Sequence, residues 1–407
     1  MLKPLTLLLT AALLAAPTPR WLTLNQAANA AIQATDYAKL HATLLDLLPL
    51  MPGNPRNAYN LAASNAKLGN PTAALQGLRD LSATGLIYNF AADDDFASLK
   101  TTPDFAAILK RVDANRQPVH HASLHLTLTE SDLIPEDLAY DPRTRRTFLS
   151  SVRKRKILTT DGREFAHAEW PILALAADPQ RRILWATTGW VPHCDACKRE
   201  DRDHTALLAF NLDTGALQQR IESPLKGLLG DMTISHHGDL YISEGIYGAV
   251  LFLKAGAHAL ERLDTEGDFP SPQTPALSAD ERTLYIPDYA RGIAAMNLAT
   301  RALTWLQPVP SIALSGIDGL YVTRKSFIAV QNGTNPPRIV RFSLDLQHQQ
   351  ILEANTPGLG EPTHGHILGN QFLFLANTGW SAYDQNGIKK PGTPPVQSAI
   401  WKLDLSE

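Results

Sequence analysis

Leu175-Ala176-Ala177-Asp178-Pro179, a polar turn, and then Ile183-Leu184-Trp185-Ala186 form the phrase on which the reading of this chain turns. Two short apolar runs separated by Asp-Pro and polar residues read as a pair of adjacent strands, because Asp and Pro supply a turn while the flanking residues suit a half-buried pleat. The phrase recurs. It begins earlier as Leu138-Ala139-Tyr140-Asp141-Pro142 to Thr147-Phe148-Leu149-Ser150, and returns as Met232-Thr233-Ile234-Ser235 to Leu240-Tyr241-Ile242-Ser243. Later come Ala276-Leu277-Ser278-Ala279-Asp280 to Leu284-Tyr285-Ile286, Gly319-Leu320-Tyr321-Val322 to Phe327-Ile328-Ala329-Val330, and Gly365-His366-Ile367-Leu368 to Phe372-Leu373-Phe374-Leu375. Six copies over residues 123–407 give about 48 residues per unit, the length of a four-stranded propeller blade. The chain is therefore expected to be mainly β, a six-bladed β-propeller over 122–407. Leu124 to Leu128 alternates well enough to pair with Ala399 to Leu403, which would close the ring and remove two exposed edges.

Ahead of the repeats the period changes. From Leu22 to about Asn115 the apolar residues fall at helical spacing, as in Leu24, Ala28, Ala31 and Ile32. Asn54-Pro55, Ala58-Tyr59-Asn60-Leu61-Ala62, Leu68-Gly69-Asn70-Pro71 and Ala73-Ala74-Leu75 together resemble one tetratricopeptide repeat, a close-packed helical pair. A small α-helical, tetratricopeptide-like region is expected over 20–115. One such pair cannot bury its own faces and must stack on its neighbours, and its outer surface is a candidate site for a protein partner. Residues 1–16 carry Lys3 followed by the apolar run Leu5 to Ala16, the pattern of a secretory signal peptide, too short for a bilayer span. Their removal predicts a periplasmic or secreted protein with no membrane span.

Composition excludes other classes. With 37 basic and 40 acidic side chains the net charge is −3, and no basic run offers a footprint for phosphate, so no nucleic acid partner is expected. No Gly-x-Ser-x-Gly or phosphate loop is present, which removes support for a serine hydrolase or nucleotide enzyme.

In a propeller the residues just before each inner strand converge at one mouth of the central channel. Those positions hold Glu136-Asp137, Gly230-Asp231, Gln273, Asp318 and Glu361-Pro362-Thr363-His364. Several carboxylates and a histidine in one place call for a cation, and oxygen donors point to a divalent metal, calcium first and zinc second.

Two of these positions carry a resemblance. Pro135-Glu136-Asp137-Leu138-Ala139-Tyr140-Asp141 resembles the first-blade phrase of the gluconolactonase and senescence marker protein (regucalcin) family, and Ile317-Asp318-Gly319-Leu320 resembles its later Pro-Asp-Gly-Leu phrase. The resemblance implies a six-bladed propeller and a calcium- or zinc-dependent lactone hydrolase. Glu136, Gln273 and Asp318 would be the metal ligands and Asp318 the catalytic group that handles the water proton; His364, as an alternative catalytic group, and Asp231, as a substrate contact, are this chain's own additions. The chain departs from the family at Gly230, which stands where an Asn meets substrate, and at Gln273-Thr274, which replaces Asn-Gly. Those departures keep a second reading open, a non-catalytic propeller that binds a small ligand or a protein.

Three further features complete the candidate site. Asn332 and Asn377 follow the inner strands of the fifth and sixth copies, where turn formation competes with substrate binding, and Trp380, Trp190 and Tyr289 are candidate pocket walls. Cys194-Asp195-Ala196-Cys197 is followed by Lys198 where covalent haem would need His. The pair reads as a small disulfide loop in an oxidising compartment; a metal would need His193 and His204 as well.

Overall fold

The computed structural model describes residues 18–406, so the stretch read as an export signal lies outside the described residues. Helices α1 (Arg20–Gln33), α2 (Tyr37–Leu47), α3 (Pro55–Lys67), α4 (Pro71–Ala83) and α5 (Pro103–Ala114) come first. Their starts are written locally. Asp36, Asn54 and Thr102 each accept a backbone N–H from the first turn that follows, and Pro occupies an early position of α3, α4 and α5, where its missing N–H costs nothing. Helices α3 and α4 approach closely because the contact is made of small residues; a Cβ on Gly77 would lie 3.1 Å from that of Ala62. Phe90, Phe96 and Phe105 from the following turns and α5 seal the other side of this pair. Among the described residues no helix is long and apolar enough to cross a membrane.

The rest forms six sheets, each with the first strand of its repeated phrase innermost. The inner strands are Leu138–Asp141, Ile172–Asp178, Leu229–Ile234, Ala276–Leu277, Ile317–Val322 and Gly365–Leu368, one per repeated phrase. The result is a six-bladed propeller. Ser123–Thr127 pairs with Ala399–Asp404, with Ser123 opposite Lys402 and Thr127 opposite Ala399, so the sixth blade is completed by the strand that precedes the first. The segment between the helices and the first blade does more than connect: Val119–His120 adds a fifth strand to blade 5, opposite Ala354 and Glu353. The fully buried Glu353 carboxylate accepts the His121 and Ala122 N–H groups at 2.9 and 2.8 Å, which steers the chain from blade 5 into blade 6.

Where the blades meet, large apolar side chains from adjacent sheets fill the wedge between them, as Phe148, Ile157, Leu184 and Phe210 do between blades 1 and 2. At the channel mouth each junction carries a polar clasp instead. Asp137 accepts the Leu175 N–H (2.8 Å), and Thr187 Oγ1 donates to the Gly230 carbonyl (2.6 Å). Ser243 Oγ donates to Gln273 O (2.6 Å), Thr274 Oγ1 to Asp318 O (2.9 Å), Asn332 Nδ2 to Pro362 O (3.2 Å) and Thr363 Oγ1 to Glu136 O (3.0 Å). Six blades are joined by six such contacts. The backbone groups that enter the inner strands have no partner within their own sheet, and the neighbour's side chain satisfies them.

Candidate active site

The clasps fix the backbone from which the acidic side chains project. Asp231, Asp318 and His364 come together so that one donor atom of each lies within 4.8 Å of the others, the only such group of three among the described residues. His364 and Asp231 are almost wholly buried, at 1% and 7% exposure, while Asp318 also lines a cavity of about 400 Å³ that opens above them. Glu136, Gln273, Tyr289, Asn332 and Trp380 line that cavity as well.

His364 is held in one orientation. Its Nδ1 lies 2.8 Å from the Glu136 carbonyl, which can only accept, so Nδ1 carries the hydrogen and Nε2 is left to face the carboxylates. That Nε2 is buried without a hydrogen-bond partner, although Asp231 Oδ1 is 3.4 Å away. A neutral ring so placed aims a lone pair at two carboxylates, which is repulsive. The repulsion is relieved by a proton on Nε2 or by a cation between the three groups. An orphaned imidazole nitrogen beside two carboxylate oxygens is a donor set that fits a divalent metal, and the carbonyl behind Nδ1 is the usual outer partner of a metal-bound histidine.

The electrostatics follow from burial. Burial pushes the Glu136 carboxyl up to about 8, against the opposing pull of His364 and the Trp380 N–H, and pushes Asp231 up to about 7, with Asp318 and Asp137 adding to it. Burial opposes a charge on His364, but Asp231, Asp318, Asp137 and Glu136 outweigh it and raise the imidazole to about 10. The three groups draw on one proton pool: the folded cluster holds protons that the unfolded chain would release.

The expected residues divide into three groups. Glu136 is in the cavity wall, its Oε2 accepting from Trp380 Nε1 at 2.8 Å, and is outside the ligand-spaced group. Gln273 also lines the wall, with its amide nitrogen turned to Ser271 O (3.3 Å) and Oγ (3.1 Å). Of the metal set implied by resemblance, Asp318 belongs to the ligand-spaced group with Asp231 and His364, while Glu136 and Gln273 stand with Asp318 in the wall of the cavity. Asp231, expected to meet substrate, is buried and is not among the residues that line the cavity. Asn332 donates to Asp318 Oδ2 (2.6 Å) and accepts from the Tyr289 hydroxyl (3.0 Å), joining the wall to the cluster. Asn377 is not in the wall; it adopts a left-handed turn at φ 52° and bonds Gln397 O. Trp190 is not in the wall either, and stacks under Arg202.

Cys194 and Cys197 form a disulfide. His204, the residue a metal would have needed, is turned away and stacks on Trp170. His193 packs its ring 4.7 Å from that of Trp380, so the loop braces the residue that holds Glu136. Ser271 in the wall gave no signal in the sequence, since its place depends on a bond from its N–H to Asp288 across the blade.

No family model and no curated protein sequence matches this chain. Among solved structures it is similar to a gluconolactonase from Xanthomonas campestris, at 15% identity and TM-score 0.47 over 71% of this chain and 98% of that one. It is similar to a luciferin-regenerating enzyme at 12% identity and TM-score 0.49, over 71% of this chain and 95% of that one. The PQQ-bound form of an aldose sugar dehydrogenase from Streptomyces coelicolor is similar at 12% identity and TM-score 0.46, over 70% and 99% of the two chains.

Proposed function

We propose that the protein is an exported, metal-dependent hydrolase of a lactone or related small ester. The observation that carries this reading is the orphaned His364 Nε2 facing Asp231 and Asp318 at the foot of a polar cavity. Asp231, Asp318 and His364 would hold the ion; with an imidazole among the donors, zinc or manganese suits the site better than calcium, which favours oxygen alone. Once bound, such an ion polarises an ester carbonyl. The chain's own groups do the rest. Asn332 fixes the Asp318 carboxylate through Oδ2, leaving its other oxygen to take the water proton, while His364, committed on both nitrogens, orients rather than transfers. Glu136, kept protonated near neutral pH by burial, offers a hydrogen bond to a substrate oxygen, and the Tyr289 and Gln273 side-chain oxygens can accept from ring hydroxyls. The lactone class rests on the likeness of the Glu136 and Asp318 phrases to the gluconolactonase family.

The test is turnover of a lactone panel by the purified protein, with and without chelator. Activity that falls at least 100-fold on chelation, returns with Zn²⁺ or Mn²⁺ and is lost in Asp318→Ala supports the reading. Equal rates with and without chelator remove it. A ligand-binding propeller without catalysis is the second reading, favoured by Gly230, which offers no side chain to a substrate, and by the Gln273 amide being engaged with Ser271. A bound metal with no turnover across the panel would select it. The helical region is then the surface on which a protein partner would be sought.

A further inference from the structure

Between the helical region and the propeller lies a second cavity, of about 440 Å³, which shares no lining residue with the cavity at the channel mouth. Both of its sides are fastened. On one, the Leu314 N–H donates to Gly53 O (2.9 Å) and Asn54 Nδ2 to Ala290 O (2.8 Å). On the other, Gln349 Nε2 donates to Ala83 O (3.1 Å) and the Ile87 N–H to Asn335 O (2.7 Å). The cleft between these lines is therefore held open. Its walls are stiff, because five prolines, Pro49, Pro52, Pro55, Pro308 and Pro310, fix the backbone there.

The chemistry of the wall is one-sided. Leu61, Leu81, Val309 and Ile312 supply the apolar lining, with Ala58 and Ala73 keeping it wide. Proline brings no N–H. The side-chain amides of Asn54, Asn65 and Gln307 each donate to a backbone carbonyl, Ala290 O, Leu61 O and Pro49 O. Asp80 is the one ionisable residue among those that line the cavity. One of its oxygens takes a bond from Gln76 Nε2 (2.9 Å), and the nearest cation, Arg79, is paired with Asp104 at 2.7 Å. Burial against the apolar wall pushes the Asp80 carboxyl up, which marks a carboxylate short of solvation. The volume falls in the range of roughly 300–1,000 Å³ usual for small-molecule pockets.

We propose that this cleft is a binding site for a small amphipathic amine, with its apolar body between α3, α4 and residues 307–313 and its ammonium on Asp80. The inference is independent of the reaction at the channel mouth. The experiment is isothermal titration of the full chain with octylamine, octanol and octanoate at one ionic strength. Octylamine is expected to bind one site at least tenfold more tightly than octanol, with no heat from octanoate. Asp80→Asn is expected to bring octylamine down to the octanol level. Ala73→Trp, which fills the cleft from an exposed wall position, is expected to abolish binding with an unchanged melting temperature. Equal affinity for all three probes, preference for octanoate, or octylamine binding that survives Ala73→Trp would overturn the proposal.

Discussion

His364 Nε2 lies 3.4 Å from Asp231 Oδ1 while Nδ1 of the same ring is tied to the Glu136 carbonyl. One blade thus locks the tautomer and another supplies the charge that the free nitrogen must answer. Everything testable about the channel mouth follows from this imbalance, since a proton and the proposed metal ion would compete for the same place.

The first prediction concerns that competition. Zn²⁺ should bind with a stoichiometry of one and release protons, so apparent affinity rises between pH 6 and 9 as the raised Asp231 and His364 groups give up their protons. Titration in buffers of different ionisation enthalpy reads the proton count. His364→Gln and Asp231→Asn should each weaken binding by tenfold or more; affinity independent of pH would contradict the shared site.

The second is a pH effect on the metal-free protein. Folded-state values of Glu136, Asp231 and His364 are all raised, so each contributes stability that is fully present below its unfolded value and disappears as pH climbs through the folded one. The unfolded values are near 4 for the acids and 6.5 for His364, and the folded ones about 7 to 10. Melting temperature in chelator should therefore fall from pH 6 to pH 9, and saturating Zn²⁺ should flatten the slope. A rising melting temperature over that range would reverse the assignment.

The third acts far from the site. Arg182 grips the fully buried Asp141 with two bonds, of 3.0 and 2.8 Å, joining blades 1 and 2, and this holds the Asp141 carboxyl down at about 2 although its burial works the other way. A depressed carboxylate stabilises above its unfolded pKa near 4 and stops doing so as pH falls through about 2, worth about 2 kcal/mol at neutrality. Asp141→Asn should lower the denaturant midpoint at pH 7, with the gap to wild type shrinking by pH 2. A gap unchanged by acid would point to packing instead.

The fourth tests the clasps. Thr187 Oγ1 accepts the Ala174 N–H at 2.8 Å and donates to Gly230 O, and Thr187 is wholly buried. Thr187→Val keeps the shape but strands one donor and one acceptor, at about 1–3 kcal/mol each. Chemical denaturation should register a loss of about 2–6 kcal/mol, and the same change at an exposed hydroxyl such as Thr304 should cost almost nothing.

Much of this was legible in the residues. The six phrases gave the blade count because each unit needs the same pair of buried strands, and the positions before them named Glu136, Asp231, Asp318 and His364 because a ring brings equivalent positions to one mouth. Cys194 and Cys197 were readable as a pair from their spacing. Less readable were the roles. Glu136 is expected on a metal, and nothing in the sequence signals that its carboxylate also accepts from the indole of Trp380; Asp137 reads as one more mouth acid but spends both oxygens on the Leu138 and Leu175 N–H groups. Val119–His120 carries no strand signal because two residues are too few to show a period, and it becomes a strand only where blade 5 offers an edge.

The division has a physical cause. Periodicity, turn residues and repeats are local, so the sequence by itself determined six units of paired strands behind a helical front, and with them which side chains would share a mouth. What each of those side chains does there depends on which atom of a neighbouring blade lies within about 3 Å, a distance set by inter-blade packing rather than by spacing along the chain. Only the tertiary structure put the Glu136 carbonyl behind His364 Nδ1, left Nε2 without a partner beside Asp231, and held an open cleft between the helices and the fourth and fifth blades.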